Sequence, residues 1–238
     1  MLKCEPLSRR GFLGLTLSGV AGLAGCATGS SVPLVAPIPF ERPRLTKPAS
    51  SPTDMELAAM YGKLQDGSYL IPAVPYQRID PKYYRQRVVD PTGEAPGTVV
   101  VDTPDRFLYL VEPGGTAMRY GVGIGRDGFS WAGDGVIQWR QKWPRWTPPD
   151  EMVARQPELS KYSIANGGMD GGLKNPLGAR ALYIFSDGKD TLYRLHGNPD
   201  WRSIGKAVSS GCVRLLNQDV IDLYQRVPLK ARIVVRQS

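Results

Sequence analysis

Apolar and polar positions change character along this chain. From Gly97 onward the apolar residues come in short, β-branched-rich runs separated by turn residues. Thr98-Val99-Val100-Val101-Asp102 and Phe107-Leu108-Tyr109-Leu110-Val111 flank the turn Thr103-Pro104-Asp105-Arg106, and a run over 117–124 follows Pro113-Gly114-Gly115. Further strands are predicted over 181–186, 191–196 and 231–235. One stretch switches to the helical period: Val220, Leu223, Tyr224 and Val227 recur at i, i+3, i+4 and i+7, with Asn217 as N-cap, Asp219 in the first turn and Pro228 as the stop. Many short strands with one or two helices predict a mainly β fold, a sandwich or a barrel-like pair of sheets.

Upstream the pattern is less regular. Residues 54–64 suit a short amphipathic helix with Met55, Leu57, Ala58, Tyr61 and Leu64 on one side, followed by Pro-interrupted, Tyr-rich chain. Residues 53–96 therefore read as an N-terminal extension wrapped on the body, not as a second domain. Residues 27–52 carry Pro33, Pro37, Pro39, Pro43, Pro48 and Pro52, the composition of an extended tether. Residues 1–26 combine Lys3, Arg9 and Arg10 with an apolar, Gly-rich run ending at Ala24-Gly25-Cys26, which reads as an export signal too short to span a membrane. Residues 126–175, rich in Gly, Trp and Pro, read as a long loop able to act as a lid. Trp131, Trp139, Trp143, Trp146 and Trp201 read as packing residues before any glycan platform.

Charge narrows the partners only slightly. The chain has 238 residues and a net charge of +8, which becomes +6 once 1–26 are removed. A basic exterior suits anionic envelope polymers, but no Lys/Arg run is long enough to suggest nucleic acid. The rarest side chains matter more. Cysteine occurs at 4, 26 and 212, and His196 is the sole histidine, so the exported body keeps one free thiol and one imidazole. That is the minimal kit for thiol nucleophilic catalysis, although an isolated cysteine also serves as a small packed apolar residue. Thr191-Leu192-Tyr193-Arg194-Leu195-His196 alternates as a strand, with Leu192, Arg194 and His196 on one face and Gly197 ending it. In Ser209-Ser210-Gly211-Cys212-Val213-Arg214, Gly211 permits a turn that aims successive backbone N–H groups at one spot, as an oxyanion hole requires.

Two sets of residues resemble known signatures. Ser8-Arg9-Arg10-Gly11-Phe12-Leu13 is similar to a twin-arginine export signal, and Leu23-Ala24-Gly25-Cys26 to a lipobox, which implies lipidation of Cys26 and a membrane-anchored, periplasmic body. His196-Gly197 with Ser209-Ser210-Gly211-Cys212-Val213-Arg214 resembles the HG…(S/T)xGCxR signature of L,D-transpeptidase catalytic domains (YkuD-type, ErfK/YbiS branch). The likeness extends over 97–236, through Trp143-Pro144-Arg145-Trp146-Thr147-Pro148-Pro149-Asp150-Glu151-Met152 and Asn175-Pro176-Leu177-Gly178-Ala179-Arg180-Ala181-Leu182-Tyr183. Ser210 departs from the commonest form, which has His there; the base maps to His196 instead.

The resemblance implies a YkuD-like fold and a set of roles. Cys212 attacks the stem-peptide carbonyl between an L-centred diamino acid and D-alanine, and His196 moves the proton. Backbone N–H groups at 210–212 hold the oxyanion, and a thioester on Cys212 passes to an amine. Arg214, Arg194 and Gly197 would contact substrate, the two arginines having surface or ion-pair roles as the other reading, and Ser209 would brace the loop. No metal or cofactor is implied. The implied partners are peptidoglycan stem peptides, a membrane through Cys26, and carbapenem-type β-lactams as inhibitors. Two rivals share the scaffold: an L,D-carboxypeptidase or endopeptidase, in which water resolves the thioester, and a non-catalytic wall-binding lipoprotein.

Overall fold

The computed structural model describes residues 51–125, 131–209 and 211–237. The segment expected to be an export signal, with Cys26, and most of the expected tether lie outside them. The chain begins with α1 (Asp54–Tyr61), β1 (Leu64–Asp66), β2 (Tyr69–Ile71) and β3 (Gln86–Val89). It continues through β4 (Val99–Asp102), β5 (Phe107–Glu112), β6 (Thr116–Gly121), β7 (Ile124–Gly125), β8 (Gly133–Lys142), α2 (Asp150–Arg155) and β9 (Arg180–Ser186). β10 (Lys189–Asn198), β11 (Ala207–Ser209), β12 (Val213–Leu216), α3 (Asn217–Arg226) and β13 (Arg232–Arg236) complete it.

A nine-stranded mixed sheet in the order β12-β10-β9-β8-β13-β4-β5-β6-β3 forms the body. Its apolar alternation puts Val99, Val101, Leu108, Leu182, Ile184, Leu195, Val213 and Ile233 on one face, where they pack with Val220 and Leu223 of α3 in a single cluster. Each such side chain contributes about 1.5–3 kcal/mol by leaving water. Strands from both ends of the order share that cluster, so the sheet curls on itself. Gly123, just past β6, closes the curl: its N–H donates to the Arg214 carbonyl at 2.9 Å and its own carbonyl accepts from Arg214 N–H at 2.8 Å. The fold is mainly β and barrel-like, as the pattern predicts.

The differences from expectation have local causes. β8 occupies part of the segment expected to be loop. Its only fully buried apolar side chain is Ile137, and its place is set by ladders to β9 and β13 rather than by its own alternation. The extension is integral: β3 pairs with β6 as the last strand of the main sheet. α1 carries a capping box between Thr53 and Glu56 and buries Leu57 and Tyr61, but Met55 is exposed. Asn217 is not the N-cap of α3. It is the first helical residue, buried, and its Oδ1 accepts from Ala179 N–H at 2.9 Å.

Candidate active site

β10 and β12 run parallel, with Leu195 beside Val213 and His196 beside Arg214. Leu195, Val213 and Leu215 are fully buried in the core, so the alternate positions Arg194, His196 and Arg214 occupy the opposite face. Cys212 immediately precedes β12 and continues its phase, which puts it beside Arg194 and two positions from His196. Strand spacings give a Cα separation between Cys212 and His196 of about 8 Å. Cys and His side chains leaning toward each other span that distance.

The thiol sits on a deformed stretch of β10. The pairing of β10 with β9 shifts register between Asp190 and Arg194. Within this bulge Leu192 has φ 63° and an exposed side chain, so it does not share the His196 face as simple alternation predicts. Asp190 holds the bulge: Oδ1 accepts from Leu192 N–H at 2.9 Å, and the carboxylate grips both terminal nitrogens of Arg194 at 2.7 and 2.8 Å. The Leu192 carbonyl thereby comes to 4.0 Å from the Cys212 sulfur. Gly211 adopts φ 129°, and a Cβ there would lie 3.2 Å from the Tyr193 ring. Its dihedral favours glycine, and a Cβ would also press on the Tyr193 ring.

His196 is buried on the same face. Its Nδ1 lies 2.6 Å from the Gly197 carbonyl. A carbonyl only accepts, so this assigns the proton to Nδ1 and leaves Nε2 as the basic nitrogen. The turn Asn175-Pro176-Leu177-Gly178 comes close to the ring through the Pro176 carbonyl. Buried Asn175 fixes this turn by donating to the Pro144 and Asp170 carbonyls, each at 3.0 Å, and by accepting from Leu177 N–H at 2.8 Å. Beneath it, Gly197 and Gly178 converge on Asn217, whose Oδ1 a Cβ at either position would strike.

Burial pushes the His196 imidazole down to about 4; the Arg214 and Arg194 guanidinia reinforce this, against the Gly197 and Pro176 carbonyls. Burial likewise pushes the Cys212 thiol up, against the Arg194 backbone N–H and the charges of Arg194 and Arg214. Both groups rest neutral near pH 7. Arg194 and Arg214 are cations common to both.

Two residues expected to contact substrate have other partners in the structure. Gly197 is buried, and it serves close packing against Asn217 and the His196 hydrogen bond. The Arg194 guanidinium is committed to Asp190 and to its own neighbour's carbonyl, and lies 4.4 Å over the Tyr183 ring. It braces the cysteine's surroundings instead of reaching out. Ser209 ends β11, while Ser210, and with it part of the proposed oxyanion loop, lies outside the described residues. Among the described residues no group of His, Cys, Asp and Glu side chains is arranged to hold a metal. Asp190 was not singled out from sequence, Asn175 and Tyr183 entered only as part of the family-like stretch, and Asn217 only as a helix cap. Only the Asp190–Arg194 spacing of four offered a signal, and a bulge, not a helix, makes it meaningful.

Residues 96–235 match the model of the L,D-transpeptidase catalytic domain (YkuD). The chain belongs to this family. Among similar proteins, the probable L,D-transpeptidase YbiS of Escherichia coli K12 is 32% identical over 156 residues, 62% of this chain and 47% of that protein. The chain thus spans about half the length of that relative. The probable L,D-transpeptidase ErfK/SrfK of the same organism is 30% identical over 229 residues, 88% of this chain and 70% of that protein. A solved structure from Brucella melitensis, described as a probable carnitine operon oxidoreductase, is 46% identical. It covers 65% of this L,D-transpeptidase-family chain and 94% of its own, with a TM-score of 0.46.

Proposed function

We propose that the chain is a cysteine-dependent L,D-transpeptidase acting on peptidoglycan stem tetrapeptides. The observation that carries this reading is that Cys212 and His196 share the outward face of two neighbouring parallel strands in a domain of this family. For attack, the Cys212 side chain turns from the Leu192 carbonyl toward His196. Nε2 takes the thiol proton as sulfur bonds to the carbonyl carbon of the third stem residue. The resulting oxyanion is held by backbone N–H groups at 210–212. Collapse expels D-alanine, whose amine takes the proton from His196, and leaves a thioester on Cys212. An amine acceptor then attacks the thioester, giving up a proton to His196, which returns it to the thiolate. Arg214, flanking both groups, steadies negative charge on sulfur and on a substrate carboxylate.

The same reading includes export by the twin-arginine route and anchoring by lipid at Cys26. It is supported by the residues around Arg9-Arg10 and Ala24-Gly25-Cys26. Mass spectrometry of membrane-extracted protein should find a lipid-bearing peptide beginning at Cys26; an unmodified mature N-terminus elsewhere removes the anchor.

The catalytic reading is tested with purified protein and tetrapeptide muropeptides. Cross-linked dimers and free D-alanine are expected, with neither from Cys212→Ala. Tripeptide monomers alone would assign a hydrolase, and products unchanged by Cys212→Ala would leave a wall-binding role. A carbapenem should add one drug mass to Cys212.

A further inference from the structure

The outward face that holds the nucleophile continues across three more strands as a row of stacked side chains. Cys212 stands beside Arg194 on β10, Arg194 is the register partner of Tyr183 on β9, and Tyr183 is the partner of Trp139 on β8. The stacking is direct. The Trp139 and Tyr183 rings lie 3.9 Å apart between centroids with planes 9° from parallel, and the Arg194 guanidinium caps the Tyr183 ring at 4.4 Å. Asp190 fixes the guanidinium, and Gln141 Oε1 accepts from the Tyr183 hydroxyl at 3.0 Å. Trp139 ends the row. It is 47% exposed although its inner face is covered by Tyr183, so its outer face is open.

An exposed tryptophan backed by a tyrosine and a locked arginine is a rigid aromatic surface. It gains nothing for the core, because the core cluster lies on the other side of the sheet. Such a ring takes the apolar C–H face of a pyranose. The Gln141 amide N–H groups are left as hydrogen-bond donors for hydroxyls beside it.

Distance selects the ligand. Three inter-strand steps separate Cys212 from Trp139, about 14 Å. In a stem tetrapeptide the scissile carbonyl belongs to the third residue, and three extended residues reach about 10 Å before the lactyl ether that joins the peptide to its sugar. A stem lying across the strands with its third residue at Cys212 thus brings its own sugar to Trp139.

We propose that Trp139, backed by Tyr183, is a binding subsite for the muramyl sugar of the donor glycopeptide. This rests on the stem-peptide reading above and adds to it a preference for glycan-attached over free stem peptide. A substrate without sugar would occupy the cysteine end and leave the tryptophan bare.

The test uses Cys212→Ala protein, in which binding is measured without turnover, and two ligands: the disaccharide tetrapeptide and the free tetrapeptide. The disaccharide form should bind about tenfold more tightly. Trp139→Ala in the same background should abolish that difference and leave free tetrapeptide affinity unchanged, while Trp139→Phe should restore most of it. Equal affinities for the two ligands, or a Trp139→Ala loss shared by both, would overturn the sugar subsite alone. Failure of both ligands to bind would overturn the stem-peptide reading with it.

Discussion

The Asp66 carboxylate grips the Arg180 guanidinium through two hydrogen bonds, 2.6 and 2.7 Å long, and also accepts from Trp143 Nε1 at 2.8 Å. Asp66 belongs to the N-terminal extension, Arg180 opens β9, and Trp143 begins the segment that ends in the turn over His196. One carboxylate thus ties the extension to both. Tyr69, also from the extension, packs on Trp143 at a tilt of 35° with centroids 4.0 Å apart and donates its hydroxyl hydrogen to the Gly171 carbonyl at 2.9 Å.

Asp66→Ala leaves the buried Arg180 guanidinium without its carboxylate. Loss of one partner of such a pair costs about 3 kcal/mol. Urea unfolding should show a lower midpoint with an unchanged slope, and acylation by a β-lactam should slow because the segment over His196 loses its tether. Unchanged stability would mean that the Asp66–Arg180 pair does not anchor the extension.

The electrostatics of the site predict how the thiol behaves. Burial raises Cys212 above the ordinary thiol range and lowers His196 to about 4, so the resting pair is thiol and neutral imidazole, not thiolate and imidazolium. Alkylation of Cys212 by iodoacetamide should climb with pH past 8 with no plateau between pH 5 and 7. Arg214→Ala removes a cation that favours the thiolate, and should move the climb to higher pH. A flat, fast rate across pH 5–7 would show a preformed ion pair and contradict the assignment.

Much of this was legible in the chain because it is local. The β4–β5 and β5–β6 hairpins follow from alternation and turn chemistry, and the core side of α3 follows from Val220, Leu223 and Val227. Cys212 and His196 stood out by scarcity. What stayed hidden is set by register between distant strands. Parallel pairing of β10 with β12 places His196 beside Arg214, and nothing local in either segment encodes that. β8 was hidden because its sequence offers only Ile137 to the core and otherwise polar and aromatic positions for the outer face. Asn217 looked like a cap because Asn usually is one; here two glycines leave room for its side chain to reach the Ala179 N–H instead.

Gly211 offers a local test of the cysteine turn. Its φ of 129° suits glycine, and the Tyr193 ring stands in the way of a Cβ. Gly211→Ala should distort the approach to Cys212 at a strain cost of about 1–3 kcal/mol. The acylation rate should drop at least about tenfold, the equivalent of about 1.4 kcal/mol, while the far-UV circular dichroism stays native. An alanine variant acylated at the parental rate would show that the turn does not set the thiol's position.

The last prediction concerns acid–base control of stability away from the thiol. Asp219, in the first turn of α3, is fully buried, and desolvation pushes it up to about 7 although the Arg85 guanidinium lies 3.6 Å away and opposes the rise. A carboxyl whose folded value is raised contributes stability that is fully present below its unfolded value near 4 and is lost as pH rises through about 7. His196 acts in the opposite direction. Its folded value is depressed to about 4, so its contribution is present above about 6.5 and is lost as pH falls toward 4. Asp66, Glu94, Asp190, Asp200 and Asp222, all depressed, lose stability only as pH falls below about 5. Above that the Asp219 and His196 effects offset each other, and the parent protein should show a nearly flat stability between about pH 5 and 6.5. Asp219→Asn removes one of them. Its unfolding free energy should therefore rise with pH between about 5 and 6.5, where the parent's does not, and at pH 8 it should equal or exceed that of the parent. Chemical denaturation at four or five pH values checks the slopes. A variant that stays as flat as the parent would show that Asp219 does not titrate in this window.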